Sequence, residues 1–328
     1  MAEIAMKQDE ELAAGALISL VIPVHNEESA IKPFLQGVRA ALADAPAGHS
    51  YEFVFVNDGS RDGTELVIRG LQQSDPEIRL VNLSRNFGKE AALCAGLEQA
   101  RGAAVIPIDV DLQDPPEAIP EMIAKWQSGA QVVNARRGNR QTDTWFKRHT
   151  AGMFYRIFNA LADQPIPSNV GDFRLLDRQV VDVLNSIGER VRFNKAIFSW
   201  VGFQTDEVVI HRGTRSEGTS AWTYWRLWNL ALDAIFSSST KPLRIWTYTG
   251  FAISALSFLY ALFILMRTLF FGIEVPGYAS TVLLILTFGG LNLFAIGILG
   301  EYIGRIFTEV RERPLYVIRS IHDGDSTE

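Results

Sequence analysis

Short apolar runs alternate with amphipathic segments through the first half of the chain. Residues 17–22, 51–56, 78–83, 104–108 and 131–134 read as strands. Between them, residues 28–43, 63–73 and 89–100 repeat apolar positions every three or four residues, the spacing of a helix with one buried face. Such alternation predicts an α/β domain whose mostly parallel sheet is covered on both sides. Ligands of these sheets gather at the C-terminal strand ends. The polar clusters fall there: Pro23-Val24-His25-Asn26-Glu27 after the first strand, Asn57-Asp58-Gly59-Ser60 after the second, and Asp109 to Gln113 after the fourth.

The pattern changes near the C-terminus. Residues 245–266 and 275–300 carry no charge. At ~1.5 Å per residue each is long enough, as a helix, for a hydrocarbon core ~30 Å thick. Only residues 267–274 separate them, so the expectation is a two-helix transmembrane hairpin (about 245–266 and 279–300) with both flanks on one side. Those flanks hold Lys241, Arg244, Arg305, Arg311, Arg313 and Arg319, against Arg267 and Glu274 in the short loop. The positive-inside rule then puts both ends in the cytoplasm. Residues 222–238 set Trp225, Trp228, Leu232 and Ile235 on one helical face and Arg226, Asn229, Asp233 and Ser237 on the other, an interfacial helix leading into the first span. The expected organisation is an N-terminal extension (1–16), a cytoplasmic catalytic domain (17–215), an interfacial region (216–243), the hairpin (244–304) and a cytoplasmic tail (305–328). The extension includes Asp9, Glu10 and Glu11 and lacks the apolar core of a secretory signal.

Composition adds exclusions. A net charge of −6 argues against nucleic acid as a partner. The single cysteine, Cys94, excludes an internal disulfide, and the five histidines show no metal-ligand spacing. Neither a Gly-x-Gly-x-x-Gly nor a Walker-type glycine loop occurs, which favours a diphosphate held by a metal.

The chemistry concentrates in Asp109-Val110-Asp111-Leu112-Gln113-Asp114-Pro115-Pro116. Two carboxylates spaced i, i+2 beyond a strand lie on one side of the backbone. Hard oxygen ligands so placed suit Mg²⁺ or Mn²⁺ with a bound diphosphate. Gln113 extends the alternation and offers a neutral oxygen, and the two prolines stop the strand. A bare Asp-x-Asp is more often a solvated loop; here strand, third oxygen and proline stop agree. Arg136, Arg137, Arg140, Lys147, Arg148 and Arg156, with Arg212 and Arg215 later, supply cations suited to phosphate beside the membrane. Together these imply transfer from a metal-held nucleotide sugar to an anionic lipid.

At this point the chain resembles the polyisoprenyl-phosphate glycosyltransferases of glycosyltransferase family 2, relatives of dolichol-phosphate mannose synthase. Within them it is most similar to the bactoprenol (undecaprenyl-phosphate) glucosyltransferases of O-antigen modification. The resemblance rests on Val21-Ile22-Pro23-Val24-His25-Asn26-Glu27-Glu28, Val56-Asn57-Asp58-Gly59-Ser60 and Ser84-Arg85-Asn86-Phe87-Gly88-Lys89-Glu90. More specific are the Asp109–Pro115 run, Val170-Gly171-Asp172-Phe173-Arg174-Leu175 and Gly300-Glu301-Tyr302-Ile303-Gly304-Arg305. The resemblance implies a GT-A fold, an inverting hexosyltransferase using UDP-glucose and undecaprenyl phosphate at a bacterial inner membrane, and room for a homo-oligomer. It implies a donor pocket of Pro23, Val24, Glu27, Asp58, Lys89 and Asp109, and a metal site of Asp109, Asp111 and Gln113. By the same resemblance Asp172 is the base or sugar-positioning carboxylate, and Arg136, Arg137, Arg148 and Arg215 bind the acceptor phosphate. Relatives often follow the glycine at Gly218 with an acid, Ser/Thr, Lys and an aromatic, where this chain has Thr219, Ser220, Ala221 and Trp222. The alternatives are another sugar (mannose, GlcNAc or an amino sugar), a polymerising synthase, or a non-catalytic membrane subunit. The polymerase reading lacks Gln-x-x-Arg-Trp.

Overall fold

A computed structural model describes residues 15–138, 170–189, 194–210, 241–271 and 277–324. The chain runs through β1 (Leu17–Val24), α1 (Ile31–Leu42), β2 (Ser50–Asn57), α2 (Thr64–Gln72), β3 (Ile78–Leu83), α3 (Lys89–Gln99) and β4 (Ala104–Pro107). A 3₁₀ turn (Pro116–Ala118) leads into α4 (Ile119–Gln127), then β5 (Val132–Arg137), β6 (Val170–Asp177), α5 (Arg178–Ser186), α6 (Asn194–Trp200) and β7 (Thr205–Ile210). Two long helices follow, α7 (Lys241–Phe271) and α8 (Tyr278–Val310), and then β8 (Ile318–His322).

The strands form one sheet in the order β7-β5-β6-β4-β1-β2-β3-β8. Pairs β1–β2, β1–β4, β2–β3 and β5–β7 are parallel; β4–β6, β5–β6 and β3–β8 are antiparallel. The sheet is therefore mixed, with a parallel centre. One face packs α1 and α4 through Phe34, Val38, Ile119 and Met122, and the other packs α3 and α5 through Leu93, Leu97, Val180 and Leu184. Helix α3 lies very close to the sheet. A Cβ on Gly96 would come within 2.2 Å of Val21 Cγ1 and 3.1 Å of Val56 Cγ2, so only glycine lets the helix axis approach this far.

The expected cytoplasmic tail is partly a correction. Residues 318–322 are not a free tail; they are the outermost strand of the catalytic sheet, after the hairpin. Ile318-Arg319-Ser320-Ile321-His322 is polar at three of its five positions and does not alternate, a weak strand signal until β3 offers it an edge.

Helices α7 and α8 span 31 and 33 residues and carry the two uncharged runs as helix. They meet through Trp246 and Phe294, whose ring centroids lie 5.1 Å apart edge to face. Phe251, Phe258, Phe263, Phe270 and Leu293 are exposed along them. Among the described residues no helix is long and apolar enough to cross a membrane. The expected interfacial helix, and with it Arg212 and Arg215, lies outside the described residues, as do Arg140, Lys147, Arg148 and Arg156.

Candidate functional site

The C-terminal ends of β1, β2, β3 and β4, with the N-terminal end of the antiparallel strand β6, carry the polar residues that the topology brings together. Lys89 opens α3, and its ammonium lies 2.7 Å from Asp109 Oδ2 and 2.9 Å from Asp172 Oδ2. Three segments far apart in sequence thus converge on one cation. Pro23, Lys89, Asp109, Asp172 and Phe173 line a small depression at this point. Burial opposes the charge on Lys89, but Asp172 and Asp109 outweigh it and hold its pKa well above the ordinary lysine value. Burial raises the Asp109 carboxyl, Lys89 works against that, and Asp172 and Asp111 add to the rise.

Strand β4 stops at Pro107, so the acids sit on the turn beyond it. Ile108 and Val110 are buried while Asp109 and Asp111 are part-exposed, which keeps both carboxylates on the open side. The expected continuation of that alternation to Gln113 is corrected. Leu112 adopts a left-handed conformation (φ 54°), and the Gln113 N–H turns back to Asp111 Oδ1 at 3.1 Å. Among the described residues no three His, Cys, Asp or Glu side chains come together as a metal centre. A Mg²⁺-type ion held through one or two carboxylates and the oxygens of a bound diphosphate does not require three. Asp109 is disfavoured as an anion by Asp172 and Asp111, an electrostatic position that a divalent cation relieves. The donor set fits such an ion.

The other expected donor residues take different places. The Asp58 carboxylate accepts from Phe87 N–H (2.7 Å) and Gly88 N–H (2.9 Å), fixing the loop that delivers Lys89. Gly59 (φ 64°) lets this turn meet Arg85: a Cβ there would lie 2.5 Å from the Arg85 carbonyl carbon. The Val24 side chain is in the core, and its carbonyl accepts from Asp58 N–H at 2.9 Å. The Glu27 N–H donates to Thr64 Oγ1 at 2.9 Å, which seats the loop after β1 on α2.

Of the expected acceptor arginines, Arg137 comes to the site. Its Nη2 would lie 3.6 Å from a Cβ on Gly171, the neighbour of Asp172. Arg136 instead pairs with Glu207 on β7 at 2.7 Å. Arg148 and Arg215 lie outside the described residues.

One residue of the motifs acquires a role that the sequence did not assign. Arg174 is buried, donates to Gly171 O at 2.6 Å and stacks 4.0 Å from the Phe198 ring centroid. Burial pulls its pKa down to about 10 while Asp172 and Glu90 act to raise it. It stands behind Asp172 as a second cation.

A parallel-centred α/β sheet with acids and a lysine at its strand ends, continued by a helical hairpin, is the GT-A-like class of glycosyltransferase domain. The chain belongs to glycosyltransferase family 2, which its residues 19–184 match, and residues 241–306 match the GtrB C-terminal hairpin. It is 51% identical over 308 residues to a prophage-derived bactoprenol glucosyl transferase of Shigella flexneri, covering 94% of this chain and 99% of that one. It is 47% identical over 304 residues to an uncharacterized glycosyltransferase of Synechocystis sp., covering 93% and 95%. A solved mannosyltransferase from Pyrobaculum calidifontis, in complex with GDP-Man and Mn²⁺, aligns at TM-score 0.47 and 15% identity over 94% of this chain and 93% of that one.

Proposed function

We propose that this chain transfers glucose from UDP-glucose to a polyprenyl phosphate at the cytoplasmic face of a bacterial inner membrane, giving a lipid-linked glucose for O-antigen modification. The end-to-end likeness to bactoprenol glucosyl transferases carries this reading. The convergence of Asp109, Lys89 and Asp172 at the strand ends supports it.

The donor diphosphate lies beside Asp109 and Asp111, with Lys89 as a fixed positive charge next to it. Mg²⁺ or Mn²⁺ bound by Asp109, Asp111 and the Gln113 oxygen would neutralise charge building on the leaving diphosphate. Asp172, held by Lys89, positions the sugar, and Arg137 holds the acceptor phosphate with Arg136, Arg148 and Arg215 as the rest of the expected set. A phosphate oxygen of the lipid bonds to the anomeric carbon as the bond to the UDP oxygen breaks, inverting that carbon. With a second pKa near ~6 that phosphate is mostly a dianion at pH 7 and carries no proton that must be removed.

The match of residues 241–306 to the GtrB C-terminal hairpin and the uncharged runs 245–266 and 275–300 support membrane association of the two helices. Their exposed apolar side chains suit lipid. Because β1–β7 precede the hairpin and β8 follows it in the same sheet, both ends return to one side, where Lys241, Arg244, Arg305, Arg311 and Arg313 lie.

The test offers the purified protein undecaprenyl phosphate and a panel of nucleotide sugars, with the lipid product identified by mass spectrometry. UDP-glucose should give a hexosyl phosphoundecaprenol. Preference for a different nucleotide sugar would overturn the donor assignment.

A further inference from the structure

A cavity of about 510 Å³ opens over the C-terminal ends of β1, β2 and β3, apart from the Lys89 cluster. Arg61, Arg85 and Arg319 are in its lining, together with Asn26, Asn57 and Ser60, and no Asp or Glu is. Arg319 differs from the rest in origin. It belongs to β8, the strand after the hairpin, and reaches this corner only because β8 pairs with β3.

Both ends of β8 are fastened. Beside the cleft, Asn82 Nδ2 donates to Ser320 Oγ (3.1 Å), Asn57 Nδ2 donates to Asn82 Oδ1 (2.9 Å), and Ser60 N–H donates to Asn57 Oδ1 (3.0 Å). This polar ladder crosses β8, β3 and β2 and ends on the cleft rim. At the far end Asp323 accepts from Arg79 Nε (2.6 Å) and Arg101 Nη2 (2.9 Å), and Gln72 donates to the His322 carbonyl (2.8 Å). Arg319 itself is braced by Glu65 at 2.6 Å while its side chain stays 53% exposed. Its guanidinium is held at the rim with a face open to the cavity.

We propose that Arg319 is a donor-binding residue, so that the strand following the membrane hairpin closes the nucleoside end of the donor cleft. This rests on the nucleotide-sugar reading above. The Asp109 cluster follows β4, and the cavity lies above β1, β2 and β3. Strands lie about 4.8 Å apart, so the two are separated by one to three spacings, about 5–14 Å, which a nucleoside diphosphate spans with its base at the far end. Asp172 on β6 lies on the opposite side of β4, which leaves the sugar there and the base here. A wall of guanidinium, amide and hydroxyl groups without carboxylates fits a neutral base rich in carbonyls and a ribose. The planar fork of Arg stacks on such a ring or donates to its oxygens.

The experiment uses the full chain in detergent with UDP and Mg²⁺. Calorimetry gives the UDP affinity of wild type, Arg319→Ala, Arg319→Gln and Arg319→Lys. Steady-state assays give KM for UDP-glucose and for undecaprenyl phosphate, and thermal melting reports the fold. Arg319→Ala should weaken UDP and raise the donor KM about tenfold, the loss of one charge-assisted contact. The lipid KM and melting temperature should stay within error, and Arg319→Lys should recover part of the affinity. Arg319→Gln gives the same readout if the alanine variant melts early. UDP affinity within twofold of wild type in both neutral variants overturns the inference while leaving the donor reading standing. A wild-type protein that binds no UDP overturns both.

Discussion

Lys89 ties Asp109 to Asp172, and that tie bears on what Asp172 does. A carboxylate already paired with an ammonium at 2.9 Å is placed to position a neighbour, since taking a proton there weakens the pair. Asp172→Asn should therefore keep residual transfer, and the acidic limb of its pH–rate profile near pH ~6, set by the lipid phosphate, should survive. Disappearance of that limb with UDP affinity unchanged would make Asp172 the base. Asp109 was legible in the sequence because it sits just past an apolar run, whereas Lys89 and Asp172 were assigned their roles by the family motifs they belong to. Gln113 was legible only in part: alternation extends a strand, and the left-handed Leu112 ends it. The core position of Val24 and the loop-holding role of Asp58 follow from packing that no local pattern states.

At the scale of elements, close packing of α3 makes a paired test. Gly96→Ala puts a methyl group into Val21 and Val56, and overpacking of this kind costs about 1–3 kcal/mol, more than the ~1 kcal/mol an alanine gains over glycine in a helix. Gly70→Ala in α2 meets nothing within 4 Å and should keep the gain. Melting temperature should fall for the first and hold or rise for the second; a rise for both would refute the packing. The β8 clasp gives a pH test. Burial works to raise the Asp323 carboxyl, but Arg79 and Arg101 outweigh it and set it below the usual carboxylate range. A carboxylate whose folded pKa is depressed contributes stability above its unfolded value and loses it as pH falls through the folded one. Asp323→Asn should lower the melting temperature at pH 7 and lower it progressively less as pH falls below the usual carboxylate value. An equal effect throughout would place its contribution in shape, not charge. Strands β1 to β5 were readable as apolar runs. Strands β6 and β8 were not: β6 carries Gly171, Asp172 and Arg174 because it lines the site, and β8 is a strand only where β3 offers it an edge.

For the whole molecule, the proposed membrane hairpin and the return of β8 to the sheet together call for an even number of crossings. Reporters fused at the two ends of the chain should both register the cytoplasm, and one inserted within residues 272–276 should register the opposite side. Ends on different sides would mean a misread span. The most direct measurement follows labelled glucose from UDP-glucose in vesicles containing the protein and undecaprenyl phosphate. Label should move into the lipid-extractable fraction only when undecaprenyl phosphate and a divalent cation are both supplied, and Asp111→Asn should abolish that movement while remaining folded. Label that stays water-soluble with wild type, or reaches lipid undiminished in the Asp111→Asn protein under chelation, would contradict a cation-assisted transfer to the lipid phosphate.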